Sequence, residues 1–385
     1  MRAKSIQGSS ISQIKNALEE SISDGFIPKL AFLFISIKQD RKSVCEIFNN
    51  MGIDIIGATS SGEFIAGHQS TGEIVAMLLD IPKNAYCILF EEIGDKSIAD
   101  TSTKMAHDAL LKFSNPAFIL LSTLISADGK MVDGATLIQS IENIVGPHVN
   151  LFGGMAGDDI TLTGTYVFTN NQSTDYGMVS LVLNEDKISL QGMAISGWKP
   201  MGIFRTVTKS EANLLYTLDD QPAIEIYLRL LGKDVSSTKG MVEFYHAMGV
   251  HYPFQIEREG REPMMCNPIG YNEEKDALIC ESDVLQGSRL RFSYPPDFDI
   301  IESVIKKASD LKKEKDAEAD ALLIFSCAGR LSALGPMARE ENEGLVEVWE
   351  APMAGFFTYG EFGKGENGKH EFHSTTNSWV VLKEK

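Results

Sequence analysis

The residues best suited to binding chemistry lie near the C-terminus, in the stretch Gly355-Phe356-Phe357-Thr358-Tyr359-Gly360-Glu361-Phe362-Gly363. Its glycines allow the backbone to adopt positive φ and to approach a ligand closely. The N–H groups exposed in such a turn attract anions, whereas the Glu361 carboxylate suits an ammonium group. A turn that offers both could bind the two ends of an amino acid. The alternative is structural: glycine permits the turn and Glu361 accepts hydrogen bonds from the backbone.

Two other stretches repeat this pattern. Gly57-Ala58-Thr59-Ser60-Ser61-Gly62-Glu63-Phe64 keeps the frame of Gly, four residues, Gly, Glu and Phe, and Phe152-Gly153-Gly154-Met155-Ala156-Gly157-Asp158 is a looser copy. Each copy lies between two strand-like apolar runs, so the sequence predicts one unit, used three times: strand, helix or loop, Gly-rich acidic turn, strand. The turns supply these candidate ligand-binding residues: Ser60, Ser61, Gly62, Glu63, Gly154, Asp158, Tyr359, Gly360 and Glu361.

Two further candidates lie in Ser326-Cys327-Ala328-Gly329-Arg330, at the end of a strand that reads as buried. Ligand contacts are common at strand ends in open sheets, and Arg330 could bind a carboxylate with two hydrogen bonds. Cys327 could act as a nucleophile only with a neighbouring base and a lowered pKa. The structural alternative is an inert buried Cys327 and a surface Arg330.

Four of the seven histidines form two loose pairs. His370 and His373 are three residues apart, so on a strand they would face opposite ways and would not form a metal site. His246 and His251 lie among aromatic residues, and either could be the single axial ligand of a haem. We therefore expect no metal and no resident cofactor, with haem as the alternative.

The elements that must position these residues are mostly strands, with helices alternating only part of the time. This pattern predicts an α/β (α+β) protein with two lobes of mixed β-sheet flanked by helices. The third repeat unit is predicted to begin at Ala321, after a helix over Asp297 to Lys313. A polar stretch near Gly232 to Gly240 places the boundary between two domains, 1–235 and 236–385.

The amino-acid composition narrows the classes of binding partner that the protein can have. The 385 residues carry a formal net charge of -18, which disfavours nucleic acid and anionic lipid surfaces. Five cysteines without a Cys-x-x-Cys pair indicate reduced thiols. Neither a signal peptide nor an apolar run long enough to span a bilayer is apparent. We expect a cytoplasmic protein without membrane insertion.

Several enzyme signatures are missing from the sequence, namely Gly-x-Gly-x-x-Gly after a strand, Gly-x4-Gly-Lys-Ser/Thr and Gly-x-Ser-x-Gly. We therefore expect a binding protein and not an enzyme. The alternative is an enzyme with Cys327 or Ser61 as its nucleophile.

Together these motifs resemble the FIST family of sensory proteins. The resemblance rests on the three Gly-rich turns, on Gly197-Trp198-Lys199-Pro200-Met201-Gly202 and on Ser326 to Arg330, which occur in the family's order and cover nearly the whole chain. It implies FIST N-terminal and C-terminal domains that bind a small ligand, with amino acids proposed. Ala58 departs from the family, since many relatives have Cys there. The sequence includes no kinase, cyclase or methyl-accepting segment, so we expect the signal to pass to a separate protein.

These observations lead to one hypothesis and two alternatives. We expect a sensor of an amino acid or small carboxylate, in which Glu63 and Glu361 bind the ammonium end and Arg330 the carboxylate end. The resemblance implies the first alternative, a haem-based nitric oxide sensor that regulates a histidine kinase. The second alternative is the enzyme.

Overall fold

Three segments of the chain fold into copies of one unit in this computed structural model, which describes residues 1–234, 240–259 and 263–385. Unit 1 comprises β1 (Arg2–Gly8), α1 (Ile11–Ser21), β2 (Leu30–Ser36), α2 (Arg41–Asn50), β3 (Asp54–Ser60), β4 (Glu63–Ile65), β5 (His68–Ser70) and β6 (Ile74–Asp80). Its helices begin where the side chains of Ser10 and Asp40 accept hydrogen bonds from backbone N–H groups of the first turn.

Unit 2 follows with the same order of elements. It comprises β7 (Tyr86–Glu92), α3 (Ile98–Lys112), β8 (Pro116–Ser122), α4 (Gly134–Val145), β9 (Leu151–Met155), β10 (Val167–Phe168), β11 (Ser173–Thr174) and β12 (Gly177–Asn184). Short 3₁₀ turns occur at Lys83–Ala85, before β7, and at Gly335–Met337.

Unit 3 begins with β13 (Ile188–Ile195) and is interrupted by an insertion, residues 199–294. The insertion contains β14 (Lys199–Glu211), β15 (Leu214–Leu218), β16 (Gln221–Pro222), α5 (Ala223–Leu231), α6 (Met241–Phe244), a π-helical turn (Tyr245–Gly249), β17 (Phe254–Ile256), β18 (Met264–Cys266), β19 (Pro268–Asn272), β20 (Ala277–Cys280) and β21 (Arg289–Tyr294). Unit 3 resumes with α7 (Asp299–Lys315), β22 (Ala321–Cys327), α8 (Ala328–Leu334), α9 (Ala338–Trp349), β23 (Met353–Thr358), β24 (Glu361–Lys364), β25 (His370–His373) and β26 (Asn377–Glu384).

The sheets have the same strand order in all three units. Within each unit the order is first strand, last strand, second strand, third strand: β1-β6-β2-β3, β7-β12-β8-β9 and β13-β26-β22-β23. The second and third strands are parallel and are joined by helices, while the other pairs are antiparallel. The predicted fold class and threefold repeat are confirmed. Unit 3, however, begins at β13 and not at Ala321.

Each unit also contributes one β-hairpin to the sheet of a neighbouring unit. The hairpin β4–β5 of unit 1 extends the sheet of unit 3, β24–β25 of unit 3 extends the sheet of unit 2, and β10–β11 of unit 2 extends the sheet of unit 1. Every donated hairpin begins at or after the Gly-rich turn of its own unit. The turns are therefore the points at which the chain leaves one sheet and joins the next.

The hydrophobic core is shared by the three units that exchange these hairpins. One face of β2, β8 and β22 lines a shared apolar centre in which the Phe34 ring stacks on Phe356 at 4.5 Å and meets Phe325 edge-on at 6.4 Å. The insertion folds into an antiparallel sheet of its own, β18-β17-β21-β14-β15-β20-β19. None of the helices within the described ranges is both long and apolar enough to cross a membrane. The predicted domain boundary at 235/236 lies outside the described residues.

Candidate functional site

The three Gly-rich turns meet at the centre of the molecule. We call residues 59–63, 155–159 and 357–361 the axial cluster. Backbone hydrogen bonds close a triangle between the turns: the N–H groups of Ser61, Tyr359 and Gly157 donate to the carbonyls of Phe357 (3.0 Å), Met155 (3.2 Å) and Thr59 (2.8 Å). The candidate residues from the turns are thus brought together, and all of their polar side chains are buried.

The space beside the glycines is filled by protein. A Cβ on Gly355 would lie 2.3 Å from the Ile324 carbonyl oxygen and 2.3 Å from the ring of Phe64, which belongs to the hairpin donated by unit 1. Gly57 makes the matching close contact with the ring of Phe168, 2.2 Å from such a Cβ. At both positions the absence of a side chain therefore leaves the space that an aromatic ring of the donated hairpin occupies.

The three candidate glycines, Gly62, Gly154 and Gly360, behave similarly, and a Cβ on Gly62 would meet the Phe357 ring at 2.9 Å. A Cβ on Gly154 would meet Thr358 at 2.7 Å, and one on Gly360 would meet the Phe372 ring at 2.5 Å. Their role as ligand contacts stays a prediction, while their role in packing is visible.

Glu63 and Glu361 occupy equivalent positions. Ser60 Oγ donates to Glu63 and Thr358 Oγ1 donates to Glu361, each from three residues earlier. The other carboxylate oxygen accepts from the N–H of Glu73 (3.1 Å) or of Thr376 (3.1 Å). Burial raises the pKa of Glu63 to about 7 and that of Glu361 to about 8, although these hydrogen bonds act the other way.

Asp158 has a different environment. Its carboxylate accepts four backbone N–H bonds from the loop that follows, between 2.7 and 3.1 Å, and a hydrogen bond from the Tyr359 hydroxyl. It orders the loop of residues 161–164 and joins the second turn to the third. Burial, with the nearby Asp158 charge, raises the pKa of Tyr359. The Ser61 hydroxyl is buried and lies near the Tyr359 hydroxyl.

Residues of the insertion lie over the third turn and also pack against Met131, Ile160 and Leu162 of unit 2. Tyr245, on its π-helical turn, is buried, and burial, followed by the proximity of Cys327, Glu281, Tyr359 and Glu361, raises its pKa. Burial raises the pKa of Glu281 to about 7 despite hydrogen bonds from Asn267. π-Helical turns often occur at functional sites.

Cys327 lies beneath the same cover. Its side chain is 1% exposed, and burial followed by the nearby carboxylates of Glu361 and Glu281 raises the pKa of the thiol. Its sulfur accepts the N–H of Gly329 at 3.4 Å. In this environment the thiol stays protonated.

Arg330 is fully buried. Its Nε donates to Glu341 Oε2 at 3.0 Å, Nη2 donates to Glu341 Oε1, and Nη1 donates to the carbonyls of Ile195, Ser196 and Thr375. Glu341 is 0% exposed as well. The structural alternative of a surface Arg330 is therefore wrong: the guanidinium joins α8, α9 and the end of β13 from inside.

A cavity of about 250 Å³, which we call the Arg291 cavity, opens between unit 3 and the insertion. Arg291 Nε donates to Gln255 Oε1 at 2.9 Å, and Arg291 has no carboxylate partner within residues 1–234, 240–259 and 263–385. Thr376 lines the cavity and its hydroxyl donates to Glu361 at 2.8 Å. Thr376 thus lies between the cavity and the axial cluster.

Sequence reasoning missed Arg291, Gln255 and Thr376, because none belongs to a recognisable motif. Trp198, in the turn cluster Gly197 to Gly202, also lines this cavity, and its carbonyl accepts from Gln255 at 3.3 Å. That turn cluster is the sequence feature that could have pointed to this cavity.

The histidine pairs lie as follows. His370 and His373 line different cavities on either side of β25, which confirms that they face opposite ways. His246 is exposed on the π-helical turn and His251 is half-buried beside it. Burial, then the proximity of His246, lowers the pKa of His251. Neither of these two rings lines the Arg291 cavity.

Fold and site define a repeat-built α/β protein whose inserted sheet covers a buried polar cluster. The FIST N domain matches residues 29–221 and the FIST C domain matches residues 223–364, so the chain belongs to the FIST family. FIST domains are generally associated with sensory signal transduction and small-ligand binding.

One curated relative is an uncharacterized protein, MJ1623, of Methanocaldococcus jannaschii, which is 24% identical over 227 residues. The match covers 55% of this chain and 42% of the relative's length.

Proposed function

We propose that this protein is a cytoplasmic sensor that binds an amino acid or a small carboxylate and passes the signal to a separate protein, such as a histidine kinase. The carboxylate group would bind in the Arg291 cavity. The observation that carries this proposal is the Arg291 guanidinium, which lines a cavity and has no carboxylate partner among the described residues. Guanidinium groups bind carboxylates with two parallel hydrogen bonds.

The walls of the cavity support a small ligand. Gln255 is buried and holds Arg291 through its side-chain oxygen, so the guanidinium is oriented before a ligand arrives. Trp198 and Met265 supply apolar surface. A volume of about 250 Å³ suits a small metabolite and is below the range of drug-sized ligand sites. This assigns the carboxylate to Arg291 in place of Arg330, whose guanidinium is occupied by Glu341.

The signal would travel through Thr376. This residue touches the cavity with its side chain and Glu361 with its hydroxyl and its N–H. Since Glu361 belongs to the hydrogen-bonded triangle of turns, a ligand that moves Thr376 acts on all three units. The inserted sheet supplies Arg291 and Gln255, so binding also fixes the insertion against unit 3.

Binding can be tested by thermal shift over a panel of amino acids and small carboxylates. A ligand at about 100 times its dissociation constant stabilises the protein by about 2.7 kcal/mol, which raises the melting temperature by several degrees. Arg291→Gln should abolish the shift. The matched control is Arg289→Gln, because Arg289 is on the same strand and contacts the same Phe204 ring but pairs with Glu257.

Two outcomes would contradict the proposal. One is the absence of a shift with every ligand of the panel. The other is an equal loss in both arginine variants, which would indicate a general charge effect.

We further propose that the protein is not an enzyme and holds no resident cofactor. The raised pKa of the buried Cys327 thiol and the burial of Ser61 support the first point. A Soret band after expression with haem supply would favour the haem sensor instead, and His246→Ala and His251→Ala would then identify the axial ligand. The cytoplasmic location rests on the five free cysteines.

A further inference from the structure

A second cavity, of about 520 Å³, lies on the other side of β25. We call it the acidic cavity. The start of α4, the residues after β17 and the strand β25 form its walls. Successive residues of the wall strands alternate between the two cavities: Gln255 and Met265 line the Arg291 cavity, whereas Ile256 and Met264 line the acidic cavity. The two sites are separate but share their walls.

Carboxylates dominate the polar lining. Six of them line this cavity together with one guanidinium, that of Arg258, which pairs with Glu371 at 2.6 Å: Asp133, Glu142, Glu257, Glu259, Asp283 and Glu371. Asp133 uses Oδ2 to cap α4 through the N–H of Thr136 at 2.8 Å. Its Oδ1 is buried without a partner among the described residues. A cavity of this composition favours a positively charged occupant.

The environment of His370 provides a second, independent observation that favours a ligand in the acidic cavity. Its side chain is 3% exposed and lines the cavity, and neither ring nitrogen has a partner in the described part of the chain. Buried polar groups in folded proteins are almost always hydrogen-bonded. The ring is held edge-on against Phe152 at 5.6 Å, and burial lowers the pKa of His370 to about 3. A neutral imidazole offers one lone pair to an N–H donor.

The rest of the lining is apolar. Ile138, Ile256, Met264 and Phe372 form a surface for a hydrocarbon group. No cluster of His, Cys, Asp or Glu close enough to hold a metal ion occurs among the described residues, so the carboxylates are too dispersed for a metal site. This favours an organic cation over a divalent metal.

We propose that the acidic cavity binds a small organic amine, distinct from the ligand of the Arg291 cavity. The ammonium group binds between Asp133 and Asp283 and donates to His370, while its carbon chain lies on Phe372 and Met264. This site goes beyond the carboxylate-sensing function and does not depend on it.

The test is isothermal titration of the full-length protein with putrescine, agmatine and phenethylamine. We expect saturable 1:1 binding of at least one amine. Asp133→Asn should weaken it about tenfold or more, since a hydrogen bond to a charged group is lost. Asparagine caps a helix as well as aspartate does, so this variant should still fold. The control is Asp40→Asn, which changes the cap of α2 outside the cavity and should bind like the wild type.

His370→Phe and Arg291→Gln complete the design. The first should weaken amine binding and keep the melting temperature, because the ring removed has no partner to lose within the described residues. The second should leave amine binding unchanged, which separates this site from the Arg291 cavity. The proposal is overturned if no amine binds saturably, if Asp40→Asn and Asp133→Asn weaken binding equally, or if Mg²⁺ or Ca²⁺ displaces the amine competitively.

Discussion

The first and third turns have nearly the same structure but different surroundings. Glu63 and Glu361 each accept from a hydroxyl three residues earlier and from a backbone N–H at the start of the last strand. Over the third turn lie Tyr245 and Glu281 of the insertion, and Thr376 connects it to a cavity. A turn shared by all units serves folding, and the insertion forms a cavity beside one copy.

The residues at the ends of the preceding strands support this view. In unit 1 the Ser36 hydroxyl donates to Asp159 at 2.7 Å, and Lys38 pairs with the same carboxylate from an exposed position. In unit 3 the corresponding segment contains Cys327 and the fully buried Arg330. The unit 3 segment therefore carries a buried guanidinium where unit 1 has the exposed ammonium group of Lys38, and it should be more sensitive to substitution.

The largest effect is expected from Arg330. Arg330→Met leaves Glu341 without its charged partner in the interior and removes three hydrogen bonds to carbonyls. Breaking such a buried pair costs about 3–5 kcal/mol. Lys38→Met should cost less than about 1 kcal/mol because Lys38 is exposed. Urea denaturation of both variants measures the difference, and equal losses would contradict the contrast between the units.

The next effect concerns the glycines that admit the donated hairpins. Gly355→Ala should destabilise by about 3 kcal/mol because its Cβ meets the Ile324 carbonyl of the backbone. Gly57→Ala should cost less, because its main obstacle is the end of the Phe168 ring.

A second substitution distinguishes the two obstacles. Phe168→Leu should partly rescue Gly57→Ala, whereas Phe64→Leu should not rescue Gly355→Ala. Melting temperatures of the four variants provide the measurement. Rescue at both positions would show that rings, and not the backbone, limit the space at Gly355.

The repeat could be predicted because its three turns share residue types that physical constraints require. Glycine is required where a hairpin ring packs on the backbone, and the carboxylate recurs because it binds the hydroxyl and the next strand. The first strand and helix of each unit were not recognised as part of the repeat, since amphipathic segments such as α1 and α3 share a pattern but no sequence. For the same reason unit 3 was predicted to begin at Ala321 and not at Ile188.

The exchange of hairpins and the cavities were not predictable. Strands of two to four residues such as Val167–Phe168 carry no signal, and the choice of partner sheet depends on the whole assembly. The motif around Arg330 predicts a ligand contact, which stays a prediction, but nothing in that motif indicates its partner Glu341, which comes from another helix. Arg291 acquires its position only when β21 packs beside unit 3, so a strand pattern could not distinguish it from Arg289.

A smaller effect should appear in the pH dependence of stability. The folded protein raises the pKa of Glu361 to about 8 and that of Glu63 to about 7, above their unfolded values. Between about pH 4.5 and these values the unfolded chain binds fewer protons than the folded chain, so stability falls as pH rises, by at most about 1.4 kcal/mol per pH unit and group.

Glutamine substitutions compare the two turns directly. Glu361→Gln should flatten this fall up to about pH 8, and Glu63→Gln only up to about pH 7. Guanidinium denaturation at pH 5, 6, 7 and 8 measures both slopes. An unchanged slope between pH 7 and pH 8 in Glu361→Gln would show that this carboxyl is ionised in the folded protein.

The smallest effect is expected at Cys327. Because burial and two carboxylates raise the pKa of its thiol, it should not react with a thiol-specific reagent in the native state and should react normally once unfolded. Cys327→Ser places in unit 3 the residue type that Ser36 provides in unit 1, and should change stability by about 1 kcal/mol or less. Mass spectrometry of the labelled protein identifies the reacting cysteine. Rapid native labelling of Cys327 would instead indicate an activated thiol, and the third turn would then differ from the first in chemistry as well as in its cover.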